Sequence, residues 1–223
     1  MDHTRHIGIF YAKNYIVTLI GAGGIGAITA ITLAKMGVGE LHVFDSDDVE
    51  EINIATQFHQ HSDVGISKVS ALAQTVEAFS GLTPVTYKMR VDSKNGLLLG
   101  SDIYISAVDS IASRKEIWKQ ISQTDVINQD FAPWYLDARM GAEYFQMYVV
   151  NLGNTDWYQE VLSRQCDSDI PDEPCTSKAT IYTGCIAAGC VGAVVRRIIT
   201  GSQFNGIYTF DIFKDTLNFY RCR

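Results

Sequence analysis

Tyr15-Ile16-Val17-Thr18-Leu19-Ile20 runs into Gly21-Ala22-Gly23-Gly24-Ile25-Gly26. An apolar run over 27–36 follows, and then Glu40-Leu41-His42-Val43-Phe44-Asp45. A short apolar run, a glycine turn, a helix-length segment and a second apolar run make a βαβ unit with a dinucleotide-type fingerprint. Gly21 allows the sharp turn. Gly23 and Gly24 remove side chains where a phosphate must meet backbone N–H groups, and Gly26 lets helix and strand pack closely. The start of the helix carries unpaired donors and partial positive charge, so it favours an anion. Asp45 lies about 20 residues beyond the turn, where a carboxylate can accept from ribose hydroxyls.

Around this unit the chain continues as an α/β protein. Residues 1–14 read as an arm or short helix. Ser46-Asp47-Asp48-Val49-Glu50-Glu51 is an acidic loop at the carboxyl edge of the sheet. Val69, Leu72, Val76 and Phe79 share one helical face over 67–79, with Ser67 as N-cap. Strands are expected over 84–91, 102–108 and 126–127, with a helix over 111–121. Two more strands, 135–139 and 144–150, lead to a polar stretch, 153–180, without clear periodicity. A Gly- and Ala-rich helix over 181–200 is closed by Gly201. A hairpin turning at Lys214-Asp215 ends the chain. The fold expected is a Rossmann-like, mostly parallel twisted sheet with helices on both faces and an antiparallel extension. It forms a single domain over 1–223: a nucleotide-binding half (1–150), a crossover segment (151–180), and a C-terminal helix and hairpin (181–223).

Bulk properties agree with an ordinary globule: 223 residues, 47% hydrophobic, 19% charged, net charge −7. That charge argues against a nucleic-acid surface. The apolar run 182–195 ends in Arg196-Arg197 and reads as a packed helix rather than a membrane span. The first residues lack the apolar core of a signal peptide, so a reducing cytoplasm is expected. Five irregularly spaced cysteines fit thiols better than a disulfide framework.

Four features gather at one sheet edge: the glycine loop; Asp45 and Asp47; Asn53 and Gln57 followed by Lys68; and Asp109 with Arg114. This set suits adenylation. Ribose needs a carboxylate, triphosphate needs donors and a cation, and a magnesium ion on the departing pyrophosphate needs an oxygen ligand. Lys68 can supply the cation and Asp109 the ligand. Other readings stand beside these. Asp47 and Asp48 can be a solvated acidic loop, and Asp109 can cap the helix that follows. Arg114 can be a surface charge. His59 and His61 read as surface residues, and Cys185 and Cys190 as core packing.

The run Asp45-x-Asp47-x-Val49-Glu50-x-x-Asn53-x-x-x-Gln57, then Gly65-x-x-Lys68, then Val108-Asp109 with Arg114, resembles the ThiF/MoeB family of ubiquitin-activating-type adenylyltransferases. The resemblance covers about 1–150, and again 175–201. It implies an ATP-dependent enzyme that activates the C-terminal carboxylate of a ubiquitin-like or sulfur-carrier protein as an acyl-adenylate. By the same resemblance Asp45 holds ribose, Asn53 touches phosphates, Lys68 neutralises phosphate charge and Asp109 orients magnesium. The family's N-terminal arginine reaches the neighbouring subunit's ATP. Thr4-Arg5-His6 is similar to that arm, so Arg5 is implied, and with it a homodimer. The family's crossover segment can carry an acyl- or sulfur-accepting cysteine. Cys175 is the candidate, with Lys178 three residues on; Cys166 is the alternative nucleophile, and an incidental loop cysteine is the plain reading.

Two departures stand out. Thr56 occupies the position where the family run has arginine, and Arg139 is a candidate replacement. The family's paired Cys-x-x-Cys motifs are absent, so no structural zinc is expected. An NAD-dependent oxidoreductase on the same turn, and a non-catalytic partner subunit, are the alternative functions.

Overall fold

The computed structural model describes residues 6–92, 100–122, 132–169, 179–202 and 204–222. Eight strands form one sheet in the order β3-β2-β1-β4-β5-β6-β7-β8. They are β1 (Ile16–Ile20), β2 (Glu40–Phe44), β3 (Val85–Tyr87), β4 (Ile103–Ser106), β5 (Trp134–Gly141), β6 (Tyr144–Asn151), β7 (Gly206–Asp211) and β8 (Thr216–Arg221). The first five pair in parallel, and β6 to β8 extend the sheet antiparallel.

Alternation along the strands sends side chains to both faces. Val17, Leu19, Ile103 and Ile105 meet α1 (Gly26–Met36), α2 (Lys68–Ser80) and α5 (Ile181–Ile199). Ile20, Tyr104 and Tyr135 meet α3 (Ile111–Ile121) and α4 (Asp156–Ser163) on the other. The expected α/β fold, with helices on both faces and an antiparallel extension, is the fold observed. α5 is long and apolar enough to cross a membrane. Here it is a packed helix: Thr183, Gly184, Ala187, Ala188, Val191 and Val195 are buried. Gly192 meets Thr32 and Met36 of α1 so closely that a Cβ would sit 3.0 Å from Thr32 Cγ2.

Several expectations need correction. β3 has three residues rather than the stretch 84–91, and β4 stops at Ser106. The polar stretch contains a helix, α4, which periodicity does not reveal: Tyr158 and Leu162 are its buried residues, a single i, i+4 pair. The hairpin turn is the four residues 212–215, with Asp215 at φ 51°. The expected strand over 126–127 lies outside the described residues.

Candidate functional site

The sheet order reverses between β1 and β4. Open α/β sheets bind ligands beyond the carboxyl ends of the strands at such a switch point. Two turns leave the sheet there, Gly21–Ile25 after β1 and Ala107–Ser110 after β4. They touch. Gly21 sits at φ 101°, and a Cβ on it would lie 2.6 Å from the Ala107 carbonyl oxygen. A Cβ on Gly26 would lie 1.9 Å from the Gly21 carbonyl oxygen, so helix and turn close only without a side chain. At Gly23 the added atom would meet nothing nearer than the Gln57 side chain at 3.8 Å. That space stands over the start of α1, which has no side-chain cap and no acidic residue in its first turn. Uncapped N–H groups facing open space suit a phosphate.

Asp45 follows β2 and binds the loop directly. Its Oδ2 accepts from Ala22 N at 2.7 Å and its Oδ1 from Asp47 N at 2.8 Å. Each carboxylate oxygen keeps a further lone pair that can accept from a ribose hydroxyl. Asp47 receives Lys68 Nζ at 3.1 Å, and the Asp47 carbonyl accepts Lys68 N–H at 2.9 Å. Lys68 is buried at 7% exposure. A buried ammonium at the first turn of a helix is a poor structural choice, because it opposes the macrodipole. Burial raises the Asp47 carboxyl, but the hydrogen bond and charge of Lys68 outweigh it and leave the group below the usual carboxylate range. Asp47 is therefore paired with Lys68 rather than a free acidic loop residue. Ser67 stands at the N-cap position, but its side chain makes no cap bond, contrary to expectation.

Asn53 closes a turn through Oδ1, which accepts from Glu50 N at 3.0 Å, leaving its amide N–H groups available. Gln57 lies over Gly23 with a buried Oε1 that has no partner among the described residues. An unpaired buried acceptor beside an open cradle fits a site completed by a ligand. Asp109 is exposed and has no partner among the described residues. It does not cap α3. Ser110 does so instead, accepting from Ser113 N. The glycine loop, Asp45, Asp47, Asn53, Gln57, Lys68 and Asp109 thus surround one switch point. Arg5, Cys175 and Lys178 lie outside the described residues.

Four residues stand otherwise than the sequence suggests. His59 is buried, with Nε2 2.9 Å from the Ala22 carbonyl, whereas His61 is exposed beside Glu51. Cys185 is exposed rather than packed in the core. Arg114 is not a surface charge: it is 4% exposed and donates to Asp137 Oδ1 at 2.5 Å and to the Val108 carbonyl. Arg139 donates to Asp137 Oδ2 through Nε at 2.8 Å and to Gln165 Oε1 at 2.7 Å, so its fork is engaged and not turned to the glycine loop. Tyr158 also donates to Asp137 Oδ2, at 2.7 Å. Burial pushes the Asp137 carboxyl up, and Arg114 and then Arg139 more than reverse this. Sequence reasoning missed Asp137, although an acidic residue inside an apolar strand is a usable signal.

Residues beyond α4 are tied to the same region. Asp167 accepts from Ile111 N at 2.6 Å and Ala112 N at 3.2 Å, and Lys115 Nζ donates to the Gln165 carbonyl at 2.6 Å. Cys166, exposed, sits between these tethers.

This geometry defines an α/β domain with a glycine turn at the switch point of its sheet. The sequence model of the ThiF family matches residues 11–223, and the chain belongs to that family. It is 35% identical over 106 residues to the adenylyltransferase and sulfurtransferase MOCS3 of Aedes aegypti, covering 46% of this chain and 24% of that protein. It is 33% identical over 120 residues to ubiquitin-like modifier-activating enzyme 5 of Xenopus laevis, covering 47% and 30%. With the SAMP-activating enzyme E1 of Haloferax volcanii it shares 35% over 102 residues, covering 44% and 38%. The matched part is well under half of each relative. Among solved structures, PaaA superposes with a TM-score of 0.71 at 21% identity, covering 94% of this chain and 73% of that one. E. coli MccB crystallised with ATP gives 0.69 at 16%, covering 94% and 64%. These two likenesses establish the fold.

Proposed function

We propose that this chain catalyses ATP-dependent adenylation of a carboxylate, the C-terminal glycine of a ubiquitin-like or sulfur-carrier protein. One observation carries the reading. A glycine turn open at Gly23, an Asp45 bonded to its backbone, a buried Lys68 and an Asp109 without a partner among the described residues meet at one switch point. Family membership supports it, and so do the activities for which the relatives are named, an adenylyltransferase and two activating enzymes.

Asp45 orients ribose, and the glycine loop with the α1 N-terminus receives phosphate. The carrier carboxylate, ionised at neutral pH, attacks the α-phosphorus; the bond to the β-phosphate oxygen breaks and pyrophosphate leaves with the electron pair. No general base is needed, so Lys68 and the loop act by position and charge. A magnesium ion would supply neutralisation of the pyrophosphate charge, with Asp109 as its protein ligand; magnesium commonly uses one or two carboxylates plus substrate phosphates. We place the reaction in the cytoplasm and in a homodimer in which Arg5 reaches the partner's nucleotide.

The test is pyrophosphate release from ATP in the presence of carrier. Asp109→Ala and Lys68→Ala should each lower it about a hundredfold or more while the protein stays folded. Either variant with full activity removes its residue from the mechanism. Thr56, together with the engaged fork of Arg139, favours one second reading, a non-catalytic subunit that pairs with an active partner. Release of pyrophosphate by the isolated chain separates the two.

A further inference from the structure

The Val108 carbonyl at the mouth of the site is held by a buried cation. Arg114 reaches back from α3 and divides its guanidinium between that carbonyl and Asp137 of β5. It also lies 3.4 Å from the Ala138 carbonyl. Asp137 is fully buried, and its second oxygen takes Arg139 and Tyr158. The next residue after Val108 is Asp109, whose own side chain has no partner among the described residues. Its position is therefore set by its backbone. Of the two peptide groups flanking Val108, the one leading into Asp109 carries the carbonyl that Arg114 holds.

We infer that Arg114 and Asp137 are positioning residues that fix the Val108–Asp109 turn and so aim the Asp109 carboxylate at a metal ion. A planar fork can bond a carboxylate and a carbonyl at once, which an ammonium at the same place cannot do in the same geometry. Two arginines on one carboxylate leave net positive charge on the network, so it withstands burial only while Asp137 keeps both. Gln165, bonded to Arg139, carries the same network to the segment that holds Cys166.

The inference rests on the reading of Asp109 as the metal-side carboxylate, and the experiment separates the two. Manganese(II) serves as probe, its free signal followed by electron paramagnetic resonance with a non-hydrolysable ATP analogue present. Hydrogen exchange of residues 107–112 is followed in parallel. Wild type, Asp109→Ala and Arg114→Lys are compared. Arg114→Lys should bind manganese roughly tenfold more weakly, exchange faster over 107–112, and bind the analogue without metal as wild type does. Wild-type manganese affinity in Arg114→Lys while Asp109→Ala is weakened overturns the inference, as does unchanged exchange. Wild-type affinity in Asp109→Ala removes the metal role of Asp109, and exchange alone then decides whether Arg114 sets the turn. If Arg114→Lys fails to fold, Tyr158→Phe, which keeps the ring and deletes one bond to Asp137, is read against the same outcomes.

Discussion

A histidine at position 59 shows how a single residue can read one way in sequence and another in the fold. Two polar neighbours, Gln60 and His61, make the segment look solvated. His59 turns inward instead and bonds the carbonyl of Ala22, whose N–H is already held by Asp45. The carbonyl accepts, so Nε2 carries the proton, and Nδ1 is left buried without a partner. Burial lowers the pKa, and the Lys68 charge adds to this against the carbonyl bond. A histidine lowered in the folded state binds fewer protons there than in the unfolded chain, so stability rises with pH in that window. Stability should fall as pH drops through the unfolded value of about 6.5. His59→Gln, which can still donate to Ala22, should lose that part of the pH dependence; thermal melts at pH 7.5 and 5.5 measure it. An equal slope in wild type and variant removes His59 as the cause. Asp137 acts with the same sign in a lower pH window. It is held low, so its contribution is present above about pH 4 and lost as pH falls through its folded value. Asp137→Asn should destabilise the fold by about 3–5 kcal/mol, because it leaves the buried Arg114 and the part-buried Arg139 short of charge.

Among the elements, the geometry of Gly21 and Gly26 is legible in the sequence because it is local, a positive φ at one and a close approach at the other, whereas Gly24, expected to face a phosphate, packs against Met140 and Thr56. What presses on the loop from outside could not be read. Gly184 of α5 comes so close that a Cβ would lie 2.7 Å from the Gly24 carbonyl oxygen, and Met140 of β5 touches the other side. Gly184→Ala should therefore cost about 1–3 kcal/mol and weaken the stabilisation that ATP gives in a thermal-shift assay. A variant with unchanged stability and unchanged nucleotide shift would show that α5 does not brace the loop. The helix over 67–79 was legible from periodicity, and the buried strands β1 and β4 from their short apolar runs. α4 was not, since eight residues with one buried pair give no period to detect. Nor was the Arg114–Asp137–Arg139 cluster, whose members come from a helix and a strand joined only by tertiary packing. Asp45, Asn53, Lys68 and Asp109 were found through their spacing, and the fold brings them to one edge.

For the whole molecule, the antiparallel end of the sheet exposes Phe213 (84%), Leu217 (64%) and Tyr220 (55%). Apolar surface of this kind suits contact with a second copy. If Arg5 acts on the partner's ATP, mixing Arg5→Ala with Asp109→Ala subunits should restore part of the activity that each lacks alone; a monomer with full activity would rule this out. The thiol step can be read separately. Cys175→Ser should still form the adenylate but no thiol-sensitive adduct with the carrier. If the adduct survives in Cys175→Ser and is lost in Cys166→Ser, the acceptor is Cys166, the one of the two that the structure places between α3 and β5. The central claim is adenylation itself. It is tested most directly by incubating the chain with ATP, magnesium and carrier proteins ending in glycine, and recording intact carrier masses. The account predicts a carrier heavier by one AMP that appears only with ATP and disappears with Asp109→Ala. Carriers that stay unmodified, with NAD rather than ATP stabilising the protein, would contradict it.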